Sequence, residues 1–174
     1  MHGRLRNAFQ TERLSFRTFE SEDLPALAAL TADPGTMRFV GEGRPLSTDE
    51  TAAWIEASRR NVQRHGYGTG AVLFEGRLIG WGGLARPEGE PEELIYGLGP
   101  RWWGRGLGLE LARGLTRWAL GDLDLAQIRA TVHPDNAPSA AILQRLGYRV
   151  VSRRLDGDDP SVLFVLSKGA APSP

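Results

Sequence analysis

The chain is 174 residues long, 41% hydrophobic and 24% charged, with a formal net charge of zero. That is enough sequence for a buried core, and it leaves no global charge to draw nucleic acid or an anionic membrane. Cysteine is absent, which excludes disulfides, thiolate metal sites and a cysteine nucleophile.

No apolar stretch approaches membrane-spanning length, and no apolar run follows Arg4 and Arg6. A cytoplasmic enzyme or binding protein is the default expectation. Residues 1–10 lack periodicity and read as a loose arm before a single domain over 11–168. Leu14 and Phe16 alternate with polar residues on a first strand, and Ser21 is placed to cap a short helix that Asp33-Pro-Gly35 stops. Residues 36–46 read as an irregular loop anchored by Met37, Phe39 and Val40. Ser47-Thr-Asp-Glu50 is a capping box opening a helix to about residue 64, with Trp54, Ile55, Ser58 and Val62 on one face. Strands over 70–74 and 78–84 form a hairpin. The acidic loop 86–92 follows, then a strand over about 93–98.

Gly104, Gly106 and Gly108 then alternate with larger residues, just before a helix whose Leu107, Leu111, Leu115 and Trp118 share a face. Glycines allow close backbone approach, and first-turn amides at the positive helix end suit phosphate. The spacing fits neither a Rossmann fingerprint, since Leu109 stands where the last glycine belongs, nor a P-loop, since the only lysine is Lys168. A turn at 121–125 leads to a strand over 127–132. Asn136 then caps a helix with Pro138 in its first turn and Ser139, Ile142, Leu143 and Leu146 on one face. Two strands over 148–152 and 161–166 follow, and 169–174 reads as a disordered tail.

The order is β-α-α-β-β-β-α-β-α-β-β. With Thr11-Glu-Arg-Leu-Ser-Phe-Arg17, Glu93-Leu-Ile-Tyr96, Trp103-Gly-Arg-Gly-Leu-Gly-Leu-Glu110 and Asn136-Ala-Pro-Ser139…Leu146-Gly-Tyr148, the chain resembles the GNAT superfamily of N-acetyltransferases. Within it, the likeness is to the RimJ/RimL-type, ribosomal-protein-alanine acetyltransferase branch. The resemblance implies an α/β (α+β) GNAT fold, with a mostly antiparallel seven-stranded sheet, four flanking helices, and a splay between the fourth and fifth strands. It implies acetyl-CoA as co-substrate, no metal, and a monomer or homodimer. Its pyrophosphate would meet backbone amides of Trp103, Gly104, Arg105, Gly106, Leu107 and Gly108. Its arm would lie in the splay beside a bulged strand, contacted by Leu98, whose N–H would polarise the thioester carbonyl, and by Asn136 and Ser139. The chain departs from the family pattern at Trp103, where many members have Gln or Arg, at Ile95, where glycine is common, and at Leu143, where many carry a tyrosine acid. In this branch a serine matching Ser139 would protonate the thiolate instead.

Acetyl transfer to an amine needs a base, because a free α-amine has a pKa of about 8 and a lysine amine about 10. The family pattern puts Glu93 in that role, with Glu92 as its rival on the opposite strand face, and Tyr96 lining the thioester pocket. Glu88 and Glu90 read as a solvated acidic loop, and the isolated His2, His65 and His133 make no metal site. Acceptors of two kinds fit, a protein N-terminus or a small amine, with residues 36–46, the helix of Trp54 and the 153–162 hairpin as walls. A silent acyl-CoA sensor or an interaction module with a vestigial turn are the alternatives.

Overall fold

The computed structural model describes residues 6–86 and 91–170. His2, Glu88, Glu90 and the last four residues of the expected tail lie outside them. The strands are β1 (Phe9–Gln10), β2 (Leu14–Thr18), β3 (Thr69–Phe74), β4 (Arg77–Ala85), β5 (Glu93–Leu98), β6 (Gln127–Val132), β7 (Arg149–Arg154) and β8 (Ser161–Ser167). The helices are α1 (Leu24–Thr31), α2 (Pro34–Met37), α3 (Thr48–His65), α4 (Leu107–Arg117) and α5 (Ala137–Arg145). They build one sheet in the order β1-β2-β3-β4-β5-β6-β8-β7, antiparallel throughout except where β5 meets β6.

The architecture is the expected one, with eight strands in place of seven and five helices in place of four. The added strand lies in the arm expected to be loose. Phe9–Gln10 pairs with β2, and the buried Asn7 accepts the Gly68 N–H at 2.9 Å and donates to the Thr18 hydroxyl at 3.1 Å. Phe9 also packs against Phe16 and Trp118. The added helix is α2. Asp33-Pro34, read as a stop, starts it: the Asp33 carboxylate accepts the Thr36 N–H at 2.6 Å, and proline suits a first helical position.

Two smaller boundaries moved for equally local reasons. One 3-10 turn, Ser21–Asp23, precedes α1, and its capping box joins Glu20 to Asp23 rather than using Ser21. Asp23 is also held by Arg17 at 2.8 and 2.9 Å. The expected turn at 121–125 begins inside a π-helical turn over Trp118–Asp122, closed by the Leu123 N–H on the Trp118 carbonyl at 3.0 Å. The capping box of α3 forms as read, with both Ser47 and Glu50 bonding across it, and Gly66 ends that helix in a left-handed conformation.

The sheet buries both faces. Against one face pack α4 and α5, with Leu107, Leu111, Leu115 and Trp118 all at 2% exposure or less. Against the other pack α1, α2 and α3, around Phe19, Leu27, Met37, Ile55 and Trp81. Burying each large apolar side chain contributes about 1.5–3 kcal/mol, so α4 is anchored firmly and the turn at its start is held in place.

Candidate active site

After β5 the chain makes one 3-10 turn, Pro100–Trp102. Gly104 and Gly106 then both take positive φ, +72° and +75°. A residue with a Cβ adopts that conformation at a cost of about 1–2 kcal/mol. Gly106 is the N-cap of α4, and no side chain caps that helix. The amides of the first turn are therefore left for an anion, at the positive end of the helix. Gly108 serves packing instead: a Cβ there would stand 3.3 Å from Ile142 of α5. The Leu107 side chain is buried, so only its backbone is available to a ligand.

The turn is braced from a distant part of the chain. Glu110, in the first turn of α4, accepts the Thr11 hydroxyl, the Arg13 N–H and the Arg13 Nε, each at 2.7 Å. Arg13 Nη1 then donates to the Arg105 carbonyl at 3.0 Å. Burial disfavours the Glu110 carboxylate, but the Thr11 hydroxyl and the two Arg13 donors outweigh it and hold its pKa below the usual range. The Arg105 guanidinium lies 5.1 Å over the Trp102 ring.

Beside the turn, the sheet opens. β5 and β6 pair at one position only, Glu93 with Arg129, and diverge beyond it. The Gly99 N–H bonds the Ile79 carbonyl on β4 at 2.8 Å. By strand alternation, the backbone of Leu98 and Tyr96 points the other way, into the gap. The Leu98 carbonyl there accepts the Trp103 indole N–H at 2.8 Å. The bulge implied for this strand is not present: β4 and β5 stay in register from Glu93 to Leu98. Gly97 permits this, because the Trp81 ring occupies the place of its missing Cβ, 2.2 Å away.

The gap widens into a cleft of about 1090 Å³ that brings together Glu93, Tyr96, Asn136 and Ser139. Asn136 caps α5 by accepting the Ser139 N–H at 3.4 Å, and the Ser139 hydroxyl meets the Tyr96 hydroxyl at 2.9 Å. Burial pushes the Tyr96 phenol up to about 12, so it stays protonated. Leu143 lines the same cleft and offers no acid.

The two neighbouring glutamates separate sharply. Glu92 is bound by the Tyr67 hydroxyl and by Arg86 at 2.5 Å, and the Tyr67 hydrogen bond leads in holding its pKa down. Glu93 faces the cleft, and its carboxylate meets no donor among the described residues. The far wall comes from residues 37–44, Trp54, Trp81, His133 and the turn at 158–161. Sequence reading missed two features. One is the brace of Arg13 and Glu110, whose residues lay inside quoted segments but whose pairing across 97 positions left no local signal. The other is the stack of Arg38, Phe39 and His133 in the far wall. Among the described residues no cluster of His, Cys, Asp or Glu could hold a metal ion, and no helix is long and apolar enough to cross a membrane.

Known proteins share this arrangement. Residues 13–149 match the acetyltransferase (GNAT) domain family. The FsC-acetyl coenzyme A-N(2)-transacetylase of Aspergillus fumigatus is 29% identical over 149 residues, 79% of this chain and 63% of that protein, so the chain spans less than two thirds of that relative. The N-acetyltransferase YnaD of Bacillus subtilis is 28% identical, over 80% of this chain and 81% of its own. A crystal structure of an acetyltransferase from Agrobacterium tumefaciens superposes with a TM-score of 0.78 at 27% identity, over 91% of this chain and 93% of that one. RimL, a ribosomal L7/L12 alpha-N-protein acetyltransferase solved with coenzyme A, gives a TM-score of 0.81 over 94% of this chain and 99% of its own; at 15% identity this is a likeness of fold. The uncapped glycine turn, the splayed sheet beside it and the domain match over residues 13–149 agree: the chain belongs to the GNAT acetyltransferases.

Proposed function

We propose that the chain moves an acetyl group from acetyl-CoA to a primary amine, by direct attack of the amine on the thioester. The co-substrate supplies an activated acyl group. The residues fit it: the turn from Trp103 to Gly108 offers backbone amides to a pyrophosphate, and the opened edge of β5 offers Leu98 and Tyr96 backbone to an extended arm. Asn136 and Ser139 contact that arm from α5.

The chemistry then falls to a few groups. The Leu98 N–H donates to the thioester oxygen, where negative charge develops, and stabilises it. Glu93 takes the amine proton, directly or through a water. It meets no donor among the described residues, whereas Glu92 is already bound. The Tyr96 and Ser139 hydroxyls lie 2.9 Å apart, and with Tyr96 as the donor of that pair the Ser139 proton is free for the departing sulfur. Ser139, or a water in its place, protonates the thiolate.

One observation carries the reading: an uncapped helix N-terminus follows an opened strand edge, and the cleft along that edge holds the Glu93 carboxylate, which meets no donor among the described residues. The acceptor is a protein N-terminus or a small amine. Relatives' names favour neither alone, since one reads alpha-N-protein and another N(2). Mixing the protein with acetyl-CoA and N-terminal peptides, polyamines and amino acids, and recording free-thiol release, tests this. A cysteine-free chain adds no background thiol. Release with an acceptor supports the reading. Absence of acetyl-CoA binding by calorimetry would overturn it.

A further inference from the structure

Resting on that acetyltransferase reading, we infer that the acceptor carries an anionic group, a carboxylate or its equivalent, a few bonds from its amine, and that Arg38 binds it. Arg38 opens the segment after α2, a tightly built loop. The Val40 N–H bonds the Met37 carbonyl at 3.0 Å, the Gly43 N–H bonds the Val40 carbonyl at 2.9 Å, and the Leu46 N–H bonds the Thr31 carbonyl at 2.8 Å. The Arg38 guanidinium lies 4.8 Å over the Phe39 ring, and Phe39 lies 5.2 Å from the His133 ring. His133 directly follows β6, so this stack joins the loop to the strand on the other side of the splay. All three residues line the cleft that holds Glu93 and Tyr96.

The charges along that cleft sort by partner. Arg44 is bound to Glu42 at 3.0 Å and to Glu50 at 2.7 Å. Asp159 is bound to Arg154 at 2.9 Å. His133 is engaged by Asp135, whose N–H bonds Nδ1 at 3.1 Å and whose carboxylate lies 3.9 Å from the same atom. Arg38 faces no carboxylate among the described residues; its one recorded partner is the Phe39 ring. Of the two arginines lining the cleft, it is therefore the one left to a ligand. A guanidinium stacked on a ring keeps its planar fork of N–H donors free, and that fork matches a carboxylate in two parallel bonds.

An amine held at Glu93 with an acid group reaching Arg38 pairs two groups that meet no opposite charge among the described residues. A polycation would find Asp158 at the rim but would set its second charge against Arg38. The acid group has two sources, a free amino acid or an acidic side chain beside a peptide N-terminus, and the test separates them.

The measurement is kcat/KM from thiol release for matched acceptors: phenylalanine, phenylalanine amide and phenethylamine; tripeptides with Asp or Asn at the second position; and spermidine. Wild type is expected to favour the carboxylate member of a matched set by roughly tenfold, mostly in KM. A preference within the amino-acid set assigns the free carboxylate, and one within the tripeptides assigns the acidic side chain. Arg38→Ala brings the ratio near unity, Arg38→Lys keeps part of it, and Arg38→Glu inverts it. Equal or better turnover of the uncharged members or of spermidine overturns the inference and leaves the acetyltransferase standing. So does a ratio that Arg38→Ala does not change. Absence of acetyl-CoA binding, with no thiol release from any of these acceptors, overturns both.

Discussion

The glycine turn and the far wall of the cleft are made of different material. At the glycine turn the groups left open are backbone: the first-turn amides of α4 and, by strand alternation, the edge of β5 at Leu98. They come from one run of about a dozen residues, and their geometry is set by two left-handed glycines. At the far end the facing groups are side chains: Arg38 and Phe39 from one loop, Trp54 from α3, His133 after β6, and Asp158 from the last hairpin. Backbone recognition reads what all ligands of one kind share, under the proposed function a pyrophosphate and an amide-bearing arm. Side-chain recognition reads what distinguishes one ligand from another. The difference suggests that one end holds a fixed co-substrate and that the other sets the acceptor.

Substitutions at either end should therefore move different constants. The largest expected effect belongs to Glu93, which sits between them. Glu93→Gln keeps the shape but cannot take a proton, and kcat is expected to fall by about 10²–10⁴-fold with KM for acetyl-CoA unchanged. A parallel rise in that KM would show that Glu93 is part of the co-substrate site, and the division would fail. Next is Gly106→Val. A branched side chain at φ +75° strains the turn that opens α4. KM for acetyl-CoA should rise about tenfold or more, as 1–2 kcal/mol of strain converts to affinity, while the ranking of acceptors should not change.

The hydroxyl pair is a smaller test of the same boundary. Ser139→Ala removes a proton donor that water can partly replace, so kcat should fall by roughly tenfold, well short of the general-acid maximum. Tyr96→Phe should cost less than Ser139→Ala, because Tyr96 acts through the Ser139 oxygen 2.9 Å away. If Tyr96→Phe is the more damaging of the two, Tyr96 is itself the proton donor to sulfur and the order of the pair is reversed. The pH profile of kcat adds a check: burial pushes the Tyr96 phenol up to about 12, so an alkaline limb that Tyr96→Phe leaves unchanged belongs to another group.

What the sequence made legible follows the same split. The face of Leu107, Leu111, Leu115 and Trp118 was readable because helical spacing is local, and all four are buried. Gly104 and Gly106 were readable because a residue without a Cβ marks a backbone that others avoid. Strand alternation put Glu92 and Glu93 on opposite faces, and the family pattern picked Glu93 as base; Glu92 bonds Tyr67 and Arg86, and Glu93 lines the cleft. Arg38 carried no such mark. An arginine in an irregular loop looks like any solvated charge until the sheet brings β6 and its His133 against Phe39. Asp33-Pro34 was misread for a related reason: the pair can stop a helix or begin one, and the bond from Thr36 that decides between them is a matter of three-dimensional placement.

The brace beneath the turn gives the finest test, because it should alter the glycine-turn end alone. Glu110→Gln loses the charge-assisted bonds to Arg13, and Arg13→Ala loses the link to the Arg105 carbonyl. The Arg13 side chain is 41% exposed, so solvent screens much of the ion pair. The expected result is a few-fold rise in KM for acetyl-CoA, with kcat and acceptor preference kept. The pH dependence has a definite sign. Glu110 has a folded pKa below its usual value near 4.3. Its contribution is therefore fully present above that usual value, and it is lost as pH falls through the lower folded pKa. Thermal unfolding in acetate and formate buffers should then show the wild type losing stability faster than Glu110→Gln as pH drops below about 4. The two curves should draw together at the acid end. Parallel curves across that range would mean that the brace works through the Thr11 and Arg13 hydrogen bonds without the charge. Glu110 would then hold the turn by shape, and the turn's geometry would be independent of acid.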